Sequence, residues 1–181
     1  MKYTYKHTLY ASYLGFVTQA VINNLPPLLF VTFQREFAVS LEQIGFLISL
    51  NFGVQLLTDL VSIKLIDRIG YRRGVVFAHV LSFTGLIAFS VLPFAFSRGY
   101  IGLLISMTFC SIGGGLLEVL LSPIVEALPG DEKASTMSLL HSFYCWGQVA
   151  VVLLSTVFFV TAGVGKWYYL PVLWSVIPFV N

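Results

Sequence analysis

Apolar positions in this chain come in long blocks. Stretches without a charged residue run from Thr8 to Gln34, Gln43 to Thr58, Gly74 to Ser97, Gly99 to Leu117 and Ala134 to Gly165. A helix crossing the hydrocarbon of a bilayer takes about 20 mostly apolar residues. On that measure the pattern predicts helices near 8–33, 42–65, 74–97, 100–128, 134–163 and 167–181. Strict period-two alternation is absent, which disfavours membrane β-strands of about ten residues each. The predicted fold class is an all-α membrane protein with six transmembrane helices. The sixth is short, and Asn181 follows Pro178 without a basic cap or exit loop. The chain is therefore expected to stop in or just after helix 6, as a fragment or an early-terminated reading frame.

Composition agrees with the pattern. Hydrophobic residues make up 57% of the chain and charged residues 10%, whereas a soluble domain carries roughly a quarter of its residues charged. A net charge of +2 with scattered basic residues gives no nucleic-acid surface. Cys110 and Cys145 lie in apolar runs and are expected to be packing residues. The N-terminal apolar stretch is as long as a full span, includes Gln19, Asn23 and Asn24, and lacks a small-residue cleavage site. It is therefore read as a retained first helix rather than a signal peptide.

Lys and Arg in short connections set orientation. Lys2, Lys6, Lys64, Arg68, Arg72, Arg73 and Lys133 fall on one side, and Arg35, Arg98 and Lys166 on the other. This predicts a multi-pass protein of the plasma (cell inner) membrane with a cytoplasmic N-terminus. Trp167, Tyr168 and Tyr169 beside Lys166 are expected to form an aromatic belt at the outer interface.

Polar groups in hydrocarbon are expensive, so those that persist face a cavity or pair with each other. Asn51, Gln55 and Asp59 fall at i, i+4 and i+8 in helix 2, one face of a helix. Helix 4 repeats this with Glu118, Ser122 and Glu126, helix 5 carries Ser138, His141, Ser142, Cys145 and Gln148, and helix 1 offers Ser12, Gln19 and Asn23. Helices 3 and 6 are nearly free of such stripes, which predicts a cavity lined by helices 1, 2, 4 and 5. From a rise of about 1.5 Å per residue, Glu118 and His141 both lie about 12–15 Å from the inner helix ends, with Asp59 at a similar level. These three are expected to form a titratable cluster suited to proton coupling, although Asp59 could equally be a structural partner of Lys64 or the loop arginines. Gly113-Gly114-Gly115 has no preceding strand or following Lys-Ser/Thr and reads as close helix packing, not a phosphate loop.

Between helices 2 and 3 the chain reads Lys64-Leu65-Ile66-Asp67-Arg68-Ile69-Gly70-Tyr71-Arg72-Arg73-Gly74. A basic cytoplasmic loop is expected in any such protein, but the order Asp-Arg-x-Gly-x-Arg at this place is more specific. The sequence here resembles the major facilitator superfamily, whose loop between helices 2 and 3 follows G-x-L-A-D-R-x-G-R-R. Leu65, Asp67, Arg68, Gly70 and Arg72 match that pattern. Ile63 stands at the first Gly, Ile66 at the Ala and Tyr71 at a basic position. Leu139 to Gly147 resembles the fifth helix of sugar-permease-like members, the fucose permease group among them.

The resemblance implies the first six-helix half of a twelve-helix carrier, built from two inverted three-helix repeats. Pro26 in helix 1 and Pro123 in helix 4 would then occupy related places. It implies a gating loop at Asp67, Arg68, Gly70 and Arg72 that latches two halves by charge contacts. The residues themselves offer a solute cavity at Asn23, Asn24, Gln55, Glu118, His141, Tyr144, Trp146 and Gln148, whose amides and aromatics suit a neutral sugar-like solute.

The expected function is secondary active transport by alternating access, coupled to protons. The expected partners are a small-molecule substrate, the lipid bilayer, and a C-terminal six-helix half or second copy, with no cofactor, metal or nucleic acid. Other readings are a drug or metabolite efflux carrier of the same fold, and a self-associating six-helix channel or membrane assembly protein. An enzyme is not expected, because no catalytic or metal spacing such as H-E-x-x-H occurs.

Overall fold

The helices begin and end on local signals. The computed structural model describes residues 4–181, and of Ile63 the backbone alone; Lys2 lies outside the described residues. At Thr4, the backbone amide donates to His7 Nδ1 at 3.2 Å and the side-chain oxygen sits 2.9 Å from the same nitrogen. These contacts open α1, Tyr5–Phe37, where first-turn amides have no helical partner. Ala38, in the left-handed region at φ 51°, closes it. Ser40 then opens α2, Leu41–Ile69: its hydroxyl accepts from the Gln43 amide at 3.2 Å while Gln43 Oε1 accepts from the Ser40 amide at 2.9 Å.

Gly70 serves two helices. At φ 81° it donates to Ile66 O at 2.8 Å, ending α2, and accepts from the Gly74 amide at 3.1 Å, starting α3, Tyr71–Ala95. Glycine adopts this conformation without a Cβ penalty. The chain continues through α4, Gly99–Ala127, and α5, Lys133–Ala162. Gly163, at φ 89°, leads into a 3₁₀ turn, Val164–Lys166, and α6, Tyr169–Val180. No strand occurs among the described residues. Among the described residues, five helices are long and apolar enough to cross a membrane. α6, with 12 residues, extends about 18 Å, short of the roughly 30 Å hydrocarbon core.

The hub is α4, which packs against α3, α2, α1 and α5. Its glycine triplet meets three neighbours in turn. A Cβ on Gly113 would lie 2.5 Å from Ser82 Oγ and 2.8 Å from Ser82 N on α3. On Gly114 it would lie 3.3 Å from Ile22 on α1, and on Gly115 3.2 Å from the Gln55 backbone on α2. These positions are packing positions, and they set the helix spacing.

Two apolar clusters fill the bundle. One joins Val21 to Phe33 of α1 with Leu103 to Cys110 of α4 and with Trp167. The other joins Tyr13 and Phe16 with Leu116 to Val125 and Leu140. On α1 they meet around Gln19, and on α4 around Ser111 and the glycines. Cys110 is a packing residue, fully buried against Gly85.

Trp167 departs from the belt expected of it. It is 0% exposed, with its ring 5.4 Å from Phe33, 6.1 Å from Phe37 and 5.8 Å from Phe94. Its indole N–H donates to Glu36 Oε2 at 2.7 Å. A large ring gains more from complete burial with its one donor satisfied than from the interface. The short turn after Gly163 swings it inward. Tyr169 stays half exposed.

Two measurements follow from this packing. Trp167→Ala should lower unfolding stability in detergent by about 3–5 kcal/mol, with Tyr169→Ala costing far less; equal effects would return Trp167 to the surface. Gly113→Val should destabilise by about 1–3 kcal/mol through overpacking against Ser82. Gly45→Val, which has nothing within 4 Å of its Cβ, should be nearly neutral beside it in the same thermal unfolding assay.

Candidate solute cavity

A cavity of about 690 Å³ opens between α1, α2, α4 and α5, the four helices that carry polar stripes. Phe16, Gln19 and Asn23 line it from α1, Phe52 and Gln55 from α2, Glu118 and Ser122 from α4, and His141, Tyr144 and Cys145 from α5. Each set follows helical spacing: 16, 19 and 23; 118 and 122; 141, 144 and 145 fall on single faces.

One hydrogen bond crosses from α1 to α4. Gln19 Nε2 donates to Glu118 Oε2 at 2.8 Å. Gln19 is buried, whereas Glu118 opens into the cavity. His141 shares the cavity wall with Glu118, and Asp59 lies outside that wall. His141 packs edge to face on Phe16, with ring centres 5.2 Å apart.

A second network ties α1, α2, α4 and α5 together. Gln55 Nε2 donates to Asn23 Oδ1 at 2.8 Å and to Asn51 Oδ1 at 3.0 Å. Asn51 Nδ2 donates to Asn23 Oδ1 at 3.3 Å, and Ser111 Oγ lies 2.7 Å from Asn51 Oδ1. Asn23 Nδ2 reaches the Tyr144 hydroxyl at 3.4 Å. Asn51, Gln55 and Ser111 are buried. Each would be costly in hydrocarbon without these partners, so the network both glues the helices and holds the Asn23 and Gln55 amides in the cavity wall.

Asn23, Gln55, Glu118, His141 and Tyr144 thus share one cavity. Three other residues expected there lie outside its wall. Asn24 sits about 100° round the helix from Asn23, and its Nδ2 turns back to Ala20 O at 2.8 Å. Trp146 is 57% exposed, two residues from Tyr144 and so on another face, and packs on Phe143 with ring centres 5.2 Å apart. Gln148 continues the His141–Cys145 face one turn further and is exposed beyond the lining.

Asp59 has a buried Oδ1 with no hydrogen-bond partner among the described residues. The structural pairing with Lys64 or the loop arginines is therefore not made at that oxygen. Cys145, expected to pack, is exposed and lines the cavity. Gln19, Ser122, Phe16 and Phe52 also belong to the wall. Gln19 and Ser122 carried a readable signal, each four residues from a chosen position on its own helix, whereas the two phenylalanines look like any lipid-facing residue in sequence. Ser111 carried none, since its partner is on another helix.

At the α2–α3 turn, Asp67 and Arg68 occupy the last turn of α2 and Arg72 the first of α3, all exposed. Among the described residues they form no ion pair with one another. The side chain of Ile63 lies outside the described residues. No group of three or more His, Cys, Asp or Glu side chains among the described residues could hold a metal.

No curated protein matches the chain. The family model of the major facilitator superfamily matches residues 11–181, a span that takes in every cavity residue and the whole α2–α3 turn. Its members are membrane transporters. A helical bundle with its polar groups gathered between four spans is the architecture such a function requires, and the chain belongs to the major facilitator superfamily.

Proposed function

We propose that this bundle carries a small neutral polar solute, sugar-like in its hydroxyl groups, across the plasma membrane by alternating access, driven by protons. The observation that carries the reading is Glu118, a carboxylate opening into a membrane-embedded cavity, held by Gln19 and sharing the cavity wall with His141. A carboxylate at that depth is expensive unless it works, and gain or loss of a proton there changes which cavity shape is stable. The neighbouring amides and the Tyr144 hydroxyl donate and accept without demanding charge, which suits hydroxyls better than ions.

Alternating access requires a second unit to rock against. The apolar windows of α2 and α5 are 22% and 17% buried, against 44–61% for α1, α3 and α4. Their outward faces are where a C-terminal six-helix half, or a second copy, would close the cavity. Asp67, Arg68, Gly70 and Arg72 would latch the two units from the side that holds the α2–α3 turn. The basic side chains gathered there support a cytoplasmic N-terminus.

The coupling role is tested in proteoliposomes with a panel of neutral monosaccharides and an imposed pH gradient. Glu118→Gln should abolish gradient-driven uptake while the protein still inserts and still exchanges solute weakly. An unchanged pH dependence would sink the coupling, and solute moving only outward would favour an efflux carrier. Accessibility gives an independent check. A membrane-permeant maleimide should label Cys145 and spare Cys110, Cys145→Ser should abolish labelling, and a transported solute should slow it. Labelling indifferent to every solute in the panel would argue that this cavity is not the binding site.

A further inference from the structure

The outward face of α3 carries a groove of which the transport reading uses Arg72 alone. Arg72, Arg73, Val76, Phe77 and Val80 line a groove of about 450 Å³ beside the α2–α3 turn. All five side chains are exposed. Their spacing places the two arginines at the top of an apolar stripe: 72, 76 and 80 fall at i, i+4 and i+8, with 73 and 77 beside them. The opposite face of α3, with Gly74, Ala78, Ser82 and Gly85, is buried, so the groove looks away from the cavity toward the bilayer. Among the described residues neither Arg72 nor Arg73 has an ion-pair or hydrogen-bond partner, and no carboxylate is part of the groove.

We propose that this groove binds one acidic phospholipid, its phosphate held between Arg72 and Arg73 and one acyl chain laid along Val76, Phe77 and Val80. Charge complementarity selects the occupant. Two unneutralised guanidiniums at the level of the headgroups call for an anion, and guanidinium matches phosphate oxygens with paired donors. From Arg73 to Val80 the helix descends about 10 Å, which carries the apolar part of the groove from the headgroup level into the hydrocarbon. A soluble phosphate would satisfy the arginines and leave the apolar wall uncovered. A zwitterionic lipid would cover the wall and bring an ammonium against the arginines. The bound lipid would fix the start of α3, and with it the Gly70 turn.

The test uses the whole protein in nanodiscs of equimolar phosphatidylcholine and phosphatidylglycerol, with retained lipid counted by native mass spectrometry after release. Phosphatidylglycerol should be retained preferentially. Arg73→Gln should weaken that retention roughly five-fold, the change corresponding to about 1 kcal/mol per basic side chain at an anionic surface, and Arg73→Lys should lose less. Val80→Trp, which fills the groove without altering charge, should also reduce retention. Lys6→Gln removes one cation from another exposed helix end and should leave it unchanged. Equal retention of the two lipids by the unaltered protein would overturn the proposal. So would a Lys6→Gln loss equal to that of Arg73→Gln, which would mean diffuse attraction, or full retention by Val80→Trp, which would mean no groove. Displacement of phosphatidylglycerol by glycerol phosphate would remove the acyl chain from the account.

Discussion

Gly113, Gly114 and Gly115 let one helix lie against three others at once, and the hydrogen bonds of the interior depend on that closeness. Amide side chains reach only a few ångströms. Asn51 meets Ser111 at 2.7 Å because α4 and α2 approach to backbone contact at Gly115, where a Cβ would already touch the Gln55 backbone at 3.2 Å. Gln19 meets Glu118 at 2.8 Å because α1 lies close to α4 at Gly114 and at Gly15, where a Cβ would run into Leu121. In lipid there is no hydrophobic drive between helices, so close van der Waals contact and cross-helix hydrogen bonds must do the joining. Small residues bring the backbones together, and the amides then fasten them.

The same constraint separates polar groups that build from those left available. Asn51, Gln55 and Ser111 are buried and engaged with one another. Glu118 uses one oxygen on Gln19 and turns into the cavity. Asp59 leaves a buried oxygen without a partner among the described residues. A buried carboxylate oxygen left unsatisfied is destabilising. Glu118, opening into the cavity, is thereby set apart from the glue around it.

How much of this was legible in the sequence depended on whether a signal was local. Helix number, type and approximate ends followed from apolar block length, and the α2–α3 turn from the residue order around Gly70, signals that act within a few residues. The four-helix cavity followed from polar spacing, since Asn51, Gln55 and Asp59 announce a face without any partner being known. Distances between helices leave no such trace. Nothing near Ser111 says that Asn51 will arrive, and nothing in the composition around Trp167 separates a buried ring from an interfacial one. That choice was made by Glu36, 131 residues away. Asn24 and Trp146 failed for a simpler reason. They neighbour residues of the cavity wall in the chain, but on a helix a displacement of one or two residues rotates the side chain by about 100° or 200°, off that face.

The two apolar clusters explain why motion and rigidity can coexist in such a bundle. Trp167 and the phenylalanines around it close one end, and Leu116 to Val125 with Tyr13 and Phe16 close the other. The polar level lies where they meet, and there the contacts are a few directional hydrogen bonds rather than interdigitated side chains. A carrier needs its helices to hold together while the cavity changes shape. Directional bonds can exchange partners with a solute at little net cost, because each is worth only about 0.5–1.5 kcal/mol after desolvation, whereas opening an apolar cluster forfeits all of its packing at once. Placing the polar groups between two packed ends therefore lets the middle change shape while the helices keep their register.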